Sequence, residues 1–536
     1  MTAEIITKHW DVIVIGAGMG GGFIGRRLAE GGLSVLFVES GPTAPREDQR
    51  EWVPELTDPD ERSSRGYWPD EMHAEIDGRS STFYGALGTG IGGTSVFYAA
   101  TLERPEPHDL DHSAAIPHPT GGWPVSYAEF EPYFEMAESM LDICGEPDPL
   151  AQGRPPALRI APPLSEGDAA MMESLRGEGL HPYRKHVGVR YLPGCAECFG
   201  RKCPRPCKMD GRSAGVEPAL ATGRATVLDR AEVVALRGGP GRITHIEARR
   251  GGRTITLSAD RFVLAAGALG SPRLLLASAS VDWPLGCANE SGLVGRNLMF
   301  KLYERIAIWP RRRADFGGPV NTISVRDFYQ RDGVHYGHLQ SMGLEASYGD
   351  IVQYLKERFD QSRIRSLRPV RGLVRVPAIA AARIFGNARI FQGLLEDMPY
   401  PENRVLYDPI HPRRISVQYR YAAELHERRR AFRAMIKQGL GRHRSFFLHQ
   451  APALSLSHGC GTLRFGSDPR TSVFDPSCRA HSVDNLYVAD ASFMPSSTGI
   501  NPSLTIAANA LRVADSVLAA AAFESGAQRS LQHGQR

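Results

Sequence analysis

The sequence predicts an α/β fold built on a Rossmann-like dinucleotide-binding domain. Three stretches support this expectation: WDVIVIGAGMGGGFIGRRLAEGGLSVLFVESG from Trp10, DRFVLAAGALGSPRLLLAS from Asp260, and DNLYVADASFMPSSTGINPSLTIAANALRVADSVL from Asp484. The first contains a βαβ unit. DVIVI is a short apolar run suited to a buried parallel strand. Gly16, Gly18 and Gly21 follow in G-x-G-x-x-G spacing, with Met19 and Gly20 inside the turn. FIGRRLAEGG reads as a helix, and SVLFVE as a second strand ending in Glu39. The glycines permit a tight turn and close backbone approach, and the helix N-terminus faces a pyrophosphate. Glu39, 18 residues after Gly21, is placed to accept a hydrogen bond from a ribose hydroxyl. An acid there favours an unphosphorylated ribose, hence FAD or NAD over NADP.

In the second stretch an apolar strand, FVLAAG, passes through Ala266 and breaks at Gly267 and Gly270 into a helix. In the third, NLYVAD delivers Asp490, and an Asn501-Pro502 turn starts a helix of small residues. A further glycine-rich stretch, GALGTGIGGTSVFYAATLERP from Gly85, would let the backbone pass close to a flat ligand. Taken singly, such glycines are ordinary turns and such alanines ordinary packing; their order along the chain argues for one site.

Bulk properties bound the rest. At 536 residues the chain can bury a large core and is expected to form more than one structural unit. Hydrophobic content of 42% and charged content of 23% are those of an ordinary globular protein. A net charge of +4 gives no general case for nucleic-acid binding. No secretory signal or membrane span is expected, so the cytoplasm is the default compartment.

The GAGMGG unit, GIGGTS, AAGALGSPRLLLAS, HGCGTLRFG and NLYVADASFMPSSTGINPSLTIAANALRVAD together resemble the glucose–methanol–choline (GMC) flavoprotein oxidoreductases. The similarity runs from about residue 10 to 520 and is weak between roughly 300 and 440. The resemblance implies bound FAD, a discontinuous FAD domain and a separate substrate domain, an antiparallel sheet with helices. On this reading the FAD domain comprises residues 1–110, 190–300 and 450–525. Residues 111–189 connect, 301–449 form the substrate domain, and 526–536 form a flexible tail. The resemblance places Gly16, Gly18, Gly21 and Glu39 on the ADP half of FAD, and Gly92, Gly93, Thr94 and Ser95 beside the flavin and pyrophosphate. Val233 would face the adenine. Asp490 and Ala491 would meet the ribityl and pyrophosphate, and Asn501 and Pro502 the flavin ring.

SLSHGCGTLRFGSDP, from Ser455, holds His458 in what reads as a glycine-rich loop. The family keeps a histidine at this position over the flavin, with histidine or asparagine as partner; here the partner position is Asn501. The implied reaction is oxidation of an alcohol to a carbonyl, with hydride passing to flavin N5. His458 would take the hydroxyl proton, and Asn501, an amide that cannot, would orient the alcohol oxygen. A lyase using the same cleft, and a membrane-associated flavin protein without turnover, are the alternatives. His481 reads as structural. Where several relatives carry a histidine for a covalent flavin link, this chain has Val96, Phe97 and Tyr98, so FAD is expected to be non-covalent. Phe300 and Lys301 stand where many members carry an acidic–histidine pair.

Two features lie outside that pattern. Cys195, Cys198, Cys203 and Cys207 are spaced C-x2-C-x4-C-x3-C, compatible with zinc or an iron–sulfur cluster, with free thiols or disulfides as alternatives; no metal site is assigned. The stretch 361–395 has seven arginines between Arg363 and Arg389. It suits a solvated face or lid of the substrate domain, or a peripheral contact with an anionic membrane. The electron acceptor, whether oxygen, quinone or protein, is left open.

Overall fold

The computed structural model describes residues 2–47, 56–311, 318–345 and 388–533, together with Phe359, Gly372 and Leu373. Most of the arginine-rich stretch therefore lies outside the described residues.

Five short apolar strands form a parallel sheet in the order Leu486–Val488, Ala259–Leu264, Trp10–Ile15, Val35–Val38 and Ala225–Leu228. Val12, Ile13, Val14, Val35, Leu36, Phe37, Val263 and Leu264 are fully buried, as expected of a sheet covered on both faces. The helix Met19–Glu30 follows the first strand, and its glycine-rich start lies against the sheet ends. A three-stranded antiparallel sheet, Glu232–Leu257, is inserted between the strands Ala225–Leu228 and Ala259–Leu264. The helix beginning at Ser503 packs on Met19–Glu30 and on Tyr127–Met140. Its segment Ser503–Glu524 is long and apolar enough to cross a membrane, but Leu504, Ala507, Leu511, Val513, Ala514 and Val517 are fully buried, so it serves as a core helix.

The second sheet is antiparallel. Its central strand Met299–Ile308 pairs with Arg389–Leu395, Ser445–Phe447 and Leu454–Cys460; Gly337–Glu345, Ile323–Val325 and Tyr183–Arg184 continue it outward. The helix Ala423–Gly439 covers it through Leu425, Phe432 and Ile436, which share a core with Leu302, Ile306 and Phe391. A four-stranded sheet joins Arg404–Leu406 and Ile415–Tyr419 to Met72–Ile76 and Arg79–Phe83. Residues 72–83 thus pair with strands of the 301–449 segment, although the sequence reading groups them with the nucleotide domain.

Candidate active site

A cavity of about 2220 Å³ lies between the parallel sheet and the antiparallel sheet. Its wall includes Gly16, Gly18, Met19, Gly20, Glu39, Gly93, Thr94, Ser95, Val233, Ala266, Gly267, Asp490, Ala491, Asn501, Pro502 and His458. Positions scattered from residue 16 to residue 502 are therefore brought to one surface.

The strand-to-helix turn explains its glycines. Gly16 sits at φ +101°, a conformation that side chains other than glycine rarely adopt. At Gly20 an added Cβ would lie 1.9 Å from the Ala489 carbonyl oxygen, so only glycine lets the helix approach the sheet. At Gly18 it would meet nothing within 4 Å, because that position opens into the cavity. Two expected contacts are absent from the wall. Gly21 lies behind it, packed on the Gly16 carbonyl, which an added Cβ would approach to 2.1 Å. Gly92 is likewise set back; its N–H donates to the Ala17 carbonyl at 2.7 Å and fixes the Gly93 turn against Gly18.

Glu39 Oε2 accepts from Ala17 N at 2.9 Å, while Oε1 accepts from Gly41 N and Gly90 N at 2.9 Å and from Ser40 Oγ at 3.1 Å. The carboxylate clamps three loops, and the singly bonded Oε2 keeps capacity for a ribose hydroxyl. Asp490 differs more from expectation. Its two oxygens accept from Gly267 N, Ser271 Oγ, Ser492 N and Ser492 Oγ, which takes up all four lone-pair positions. Burial raises its pKa. Asp490 is a brace between two cavity-lining segments, and the backbone of Asp490–Ala491 is what remains for a ligand.

His458 lies in a strand, Leu454–Cys460, rather than in a free loop. The register against the neighbouring strand jumps: Ser455 faces Lys301 and Cys460 faces Met299, so the residues between bulge outward. A bulge of this kind re-aims side chains and weakens local pairing. Neither ring nitrogen bonds a described residue; Nδ1 is closed off, leaving Nε2 as the nitrogen reachable from the cavity. Burial first, then the charges of Lys301 and His338, lowers the His458 pKa to about 3, so the imidazole is neutral at neutral pH. Asn501 Oδ1 is buried with no partner among the described residues and borders the same cavity.

The turn carrying Asn501 is held by Lys301, marked in the sequence only as a departure from the family pattern, and by His338 and Glu396, which no motif marked. Lys301 is fully buried, and its Nζ donates to the carbonyls of Ser497 and, at 2.7 Å, Thr498. His338 Nδ1 donates to the Gly499 carbonyl at 2.9 Å, and burial lowers this histidine to about 4. Thr498 N donates to Glu396 Oε1 at 3.1 Å. These bonds hold Thr498 at φ +57°, a strained setting for a β-branched residue. His481 Nε2 is 2.8 Å from Ser472 Oγ and lies outside the cavity wall.

The four clustered cysteines make pairwise contacts only. Cys203 and Cys207 sulfurs are 3.2 Å apart, and Cys195 and Cys207 sulfurs 4.0 Å. No three of them close around a common point, so the arrangement is not that of an iron–sulfur cluster. Nearby, the buried Lys208 Nζ donates to the carbonyls of Val96 and Cys198, tying the cysteine loop to the cavity-lining turn.

These features fit FAD. The wall opens at Gly18 beside a helix N-terminus, Glu39 keeps an acceptor free, and His458, through Nε2, and Asn501 border the same space. The sequence matches the GMC oxidoreductase family over residues 11–303 and 397–510, and the chain belongs to that family of FAD-binding enzymes. It is 31% identical to paromamine 6'-oxidase of Streptomyces fradiae, over 95% of this chain and 91% of that protein. It is 27% identical to the fructose dehydrogenase large subunit of Gluconobacter japonicus, over 96% and 98%. Among solved structures, pyridoxine 4-oxidase from Mesorbium loti superposes with a TM-score of 0.62 at 20% identity, covering 95% of this chain and 99% of that one. The protein is an FAD-dependent alcohol oxidoreductase.

Replacing Asn501 by alanine is expected to lower kcat/KM about 10- to 100-fold, the worth of one buried hydrogen bond, with FAD retained. Steady-state kinetics with flavin quantification checks it.

Proposed function

We propose that the chain oxidises an alcohol group on a polyhydroxylated, sugar-like substrate. The observation behind this is a polar row on the cavity face of the antiparallel sheet. Arg305, Gln392 and Gln340 sit side by side in register on three adjacent strands, and all three border the cavity. All three side chains carry hydrogen-bonding groups and border the cavity, so the row can meet a polar ligand. Relatives named for paromamine, 6'''-hydroxyparomomycin C and fructose support the same class.

In this reading His458, neutral and reached through Nε2, takes the proton of the substrate hydroxyl. The Asn501 amide N–H donates to the same oxygen and so turns the hydroxyl proton toward the imidazole. Gly16–Gly20, Glu39 and Gly93–Ser95 would hold FAD, which when bound supplies the hydride acceptor for the carbinol carbon. Binding is proposed to be non-covalent: Phe97 stacks on Tyr67 at 4.3 Å, the Tyr98 hydroxyl bonds the Met209 carbonyl, and no histidine stands in that turn. All eight cysteines are free, which supports a reducing, cytoplasmic setting.

The test is substrate selectivity. Gln340→Leu together with Gln392→Leu is expected to raise KM for a sugar alcohol about tenfold or more, one or two hydrogen bonds' worth, while a simple primary alcohol is turned over as before. An equal loss on both substrates would remove the row from recognition.

A further inference from the structure

Away from the cavity, His108 and Asp109 of the turn Pro107–Asp109 meet His335 of the strand Val334–His335. One ligand atom from each lies within 4.8 Å of the other two. All three are buried, with exposures of 7%, 1% and 4%. Buried polar groups are ordinarily paired. Here both ring nitrogens of His108, Nε2 of His335 and Oδ1 of Asp109 have no hydrogen-bond partner among the described residues, while His335 Nδ1 faces Glu396. None of the three borders the flavin cavity, so the proposed reaction leaves them without a task.

We propose that His108, Asp109 and His335 bind a divalent transition-metal ion, Zn²⁺, at a buried site whose fourth position is left for a water. Two imidazoles and a carboxylate are a common ligand set for this ion. Tetrahedral bonds of about 2.1 Å place ligand atoms roughly 3.3 Å apart, so small side-chain rotations close the present separation. The outer contacts suit the role. Asp109 Oδ2 already accepts from Tyr329 Oη at 2.6 Å and from Glu106 N at 2.7 Å, which leaves Oδ1 for the metal. Glu396 Oε2 stands 3.4 Å from His335 Nδ1, a carboxylate behind a histidine that leaves Nε2 for the metal.

The site reaches the chemistry indirectly. The other oxygen of Glu396 accepts from Thr498 N at 3.1 Å, three residues before Asn501. A metal holding His335 thereby fixes Glu396 and the strained turn that delivers Asn501. His335 is a positioning residue in this account.

The experiment is metal analysis by mass spectrometry of the untagged, FAD-loaded enzyme, expressed with added zinc and dialysed against metal-free buffer. The expected result is about one zinc per flavin in the unmutated enzyme. His335→Gln and Asp109→Asn should each retain less than about a tenth of that metal while keeping flavin. In case neither variant folds, unmutated enzyme stripped with a chelator is titrated with Zn²⁺ against a chromophoric competitor, with uptake of about one equivalent expected. Unmutated enzyme that neither contains nor takes up zinc would overturn the proposal. So would folded variants that keep the metal in full.

Discussion

His458→Ala is expected to lower kcat/KM by about 1,000-fold, within the range usual for a general base, with flavin content and thermal unfolding unchanged. The imidazole makes no hydrogen bond to a described residue, so its removal breaks no structural contact of that kind. Its lowered pKa, about 3, keeps it proton-free at neutral pH. His458→Gln preserves polar bulk but cannot take a proton, and should be as impaired as the alanine variant. Steady-state kinetics on both variants decides it; a loss smaller than tenfold would place the base elsewhere.

The second large effect is structural. Gly20→Ala puts a methyl group 1.9 Å from the Ala489 carbonyl oxygen. An ordinary carbon–oxygen contact needs roughly 3.3 Å, so the helix must leave the sheet. The neighbour is backbone and cannot rotate away, so the cost should reach the upper end of overpacking penalties, about 3 kcal/mol. Loss of bound FAD should accompany it, because the displaced helix carries the N-terminus that faces the cofactor. Gly18→Ala is the contrast: its methyl meets nothing within 4 Å, so the fold should survive while FAD binding weakens. Thermal unfolding and flavin retention separate the two variants. Equal unfolding temperatures for both would contradict the packing account.

The nucleotide half of the fold was legible because its signals are local. A short apolar run, spaced glycines and a terminal acid lie within 30 residues of one another, and the chain reads them out as strand, turn and strand. What was illegible depends on distant pairing. Nothing near Met72–Phe83 signals that these strands will pair with Ile415–Tyr419. Gly21 matched the motif yet packs inward, because the third glycine serves helix–strand contact rather than the ligand. Asp490 lay at the right strand end, but its bonds to Ser271 and Gly267 come from another segment. Of the supports of Asn501, Lys301 was marked only as a departure from the family pattern, while His338 in a strand and Glu396 just past one belong to no motif. A signal for the substrate row did exist. It was partial: Tyr303 and Arg305 alternate in the structure with fully buried Leu302, Glu304 and Ile306, but the buried charge of Glu304 breaks the apolar alternation in the sequence.

The central claim, FAD-dependent alcohol oxidation at a cavity served by His458, is tested most directly by anaerobic absorption spectroscopy of the purified enzyme. Spectra are recorded before and after addition of sugar alcohols and simple primary alcohols. The account predicts an oxidised-flavin spectrum that bleaches rapidly with a polyhydroxylated alcohol, and about 1,000-fold more slowly in His458→Ala. A flavin that no alcohol bleaches, or that bleaches equally fast without His458, would contradict it.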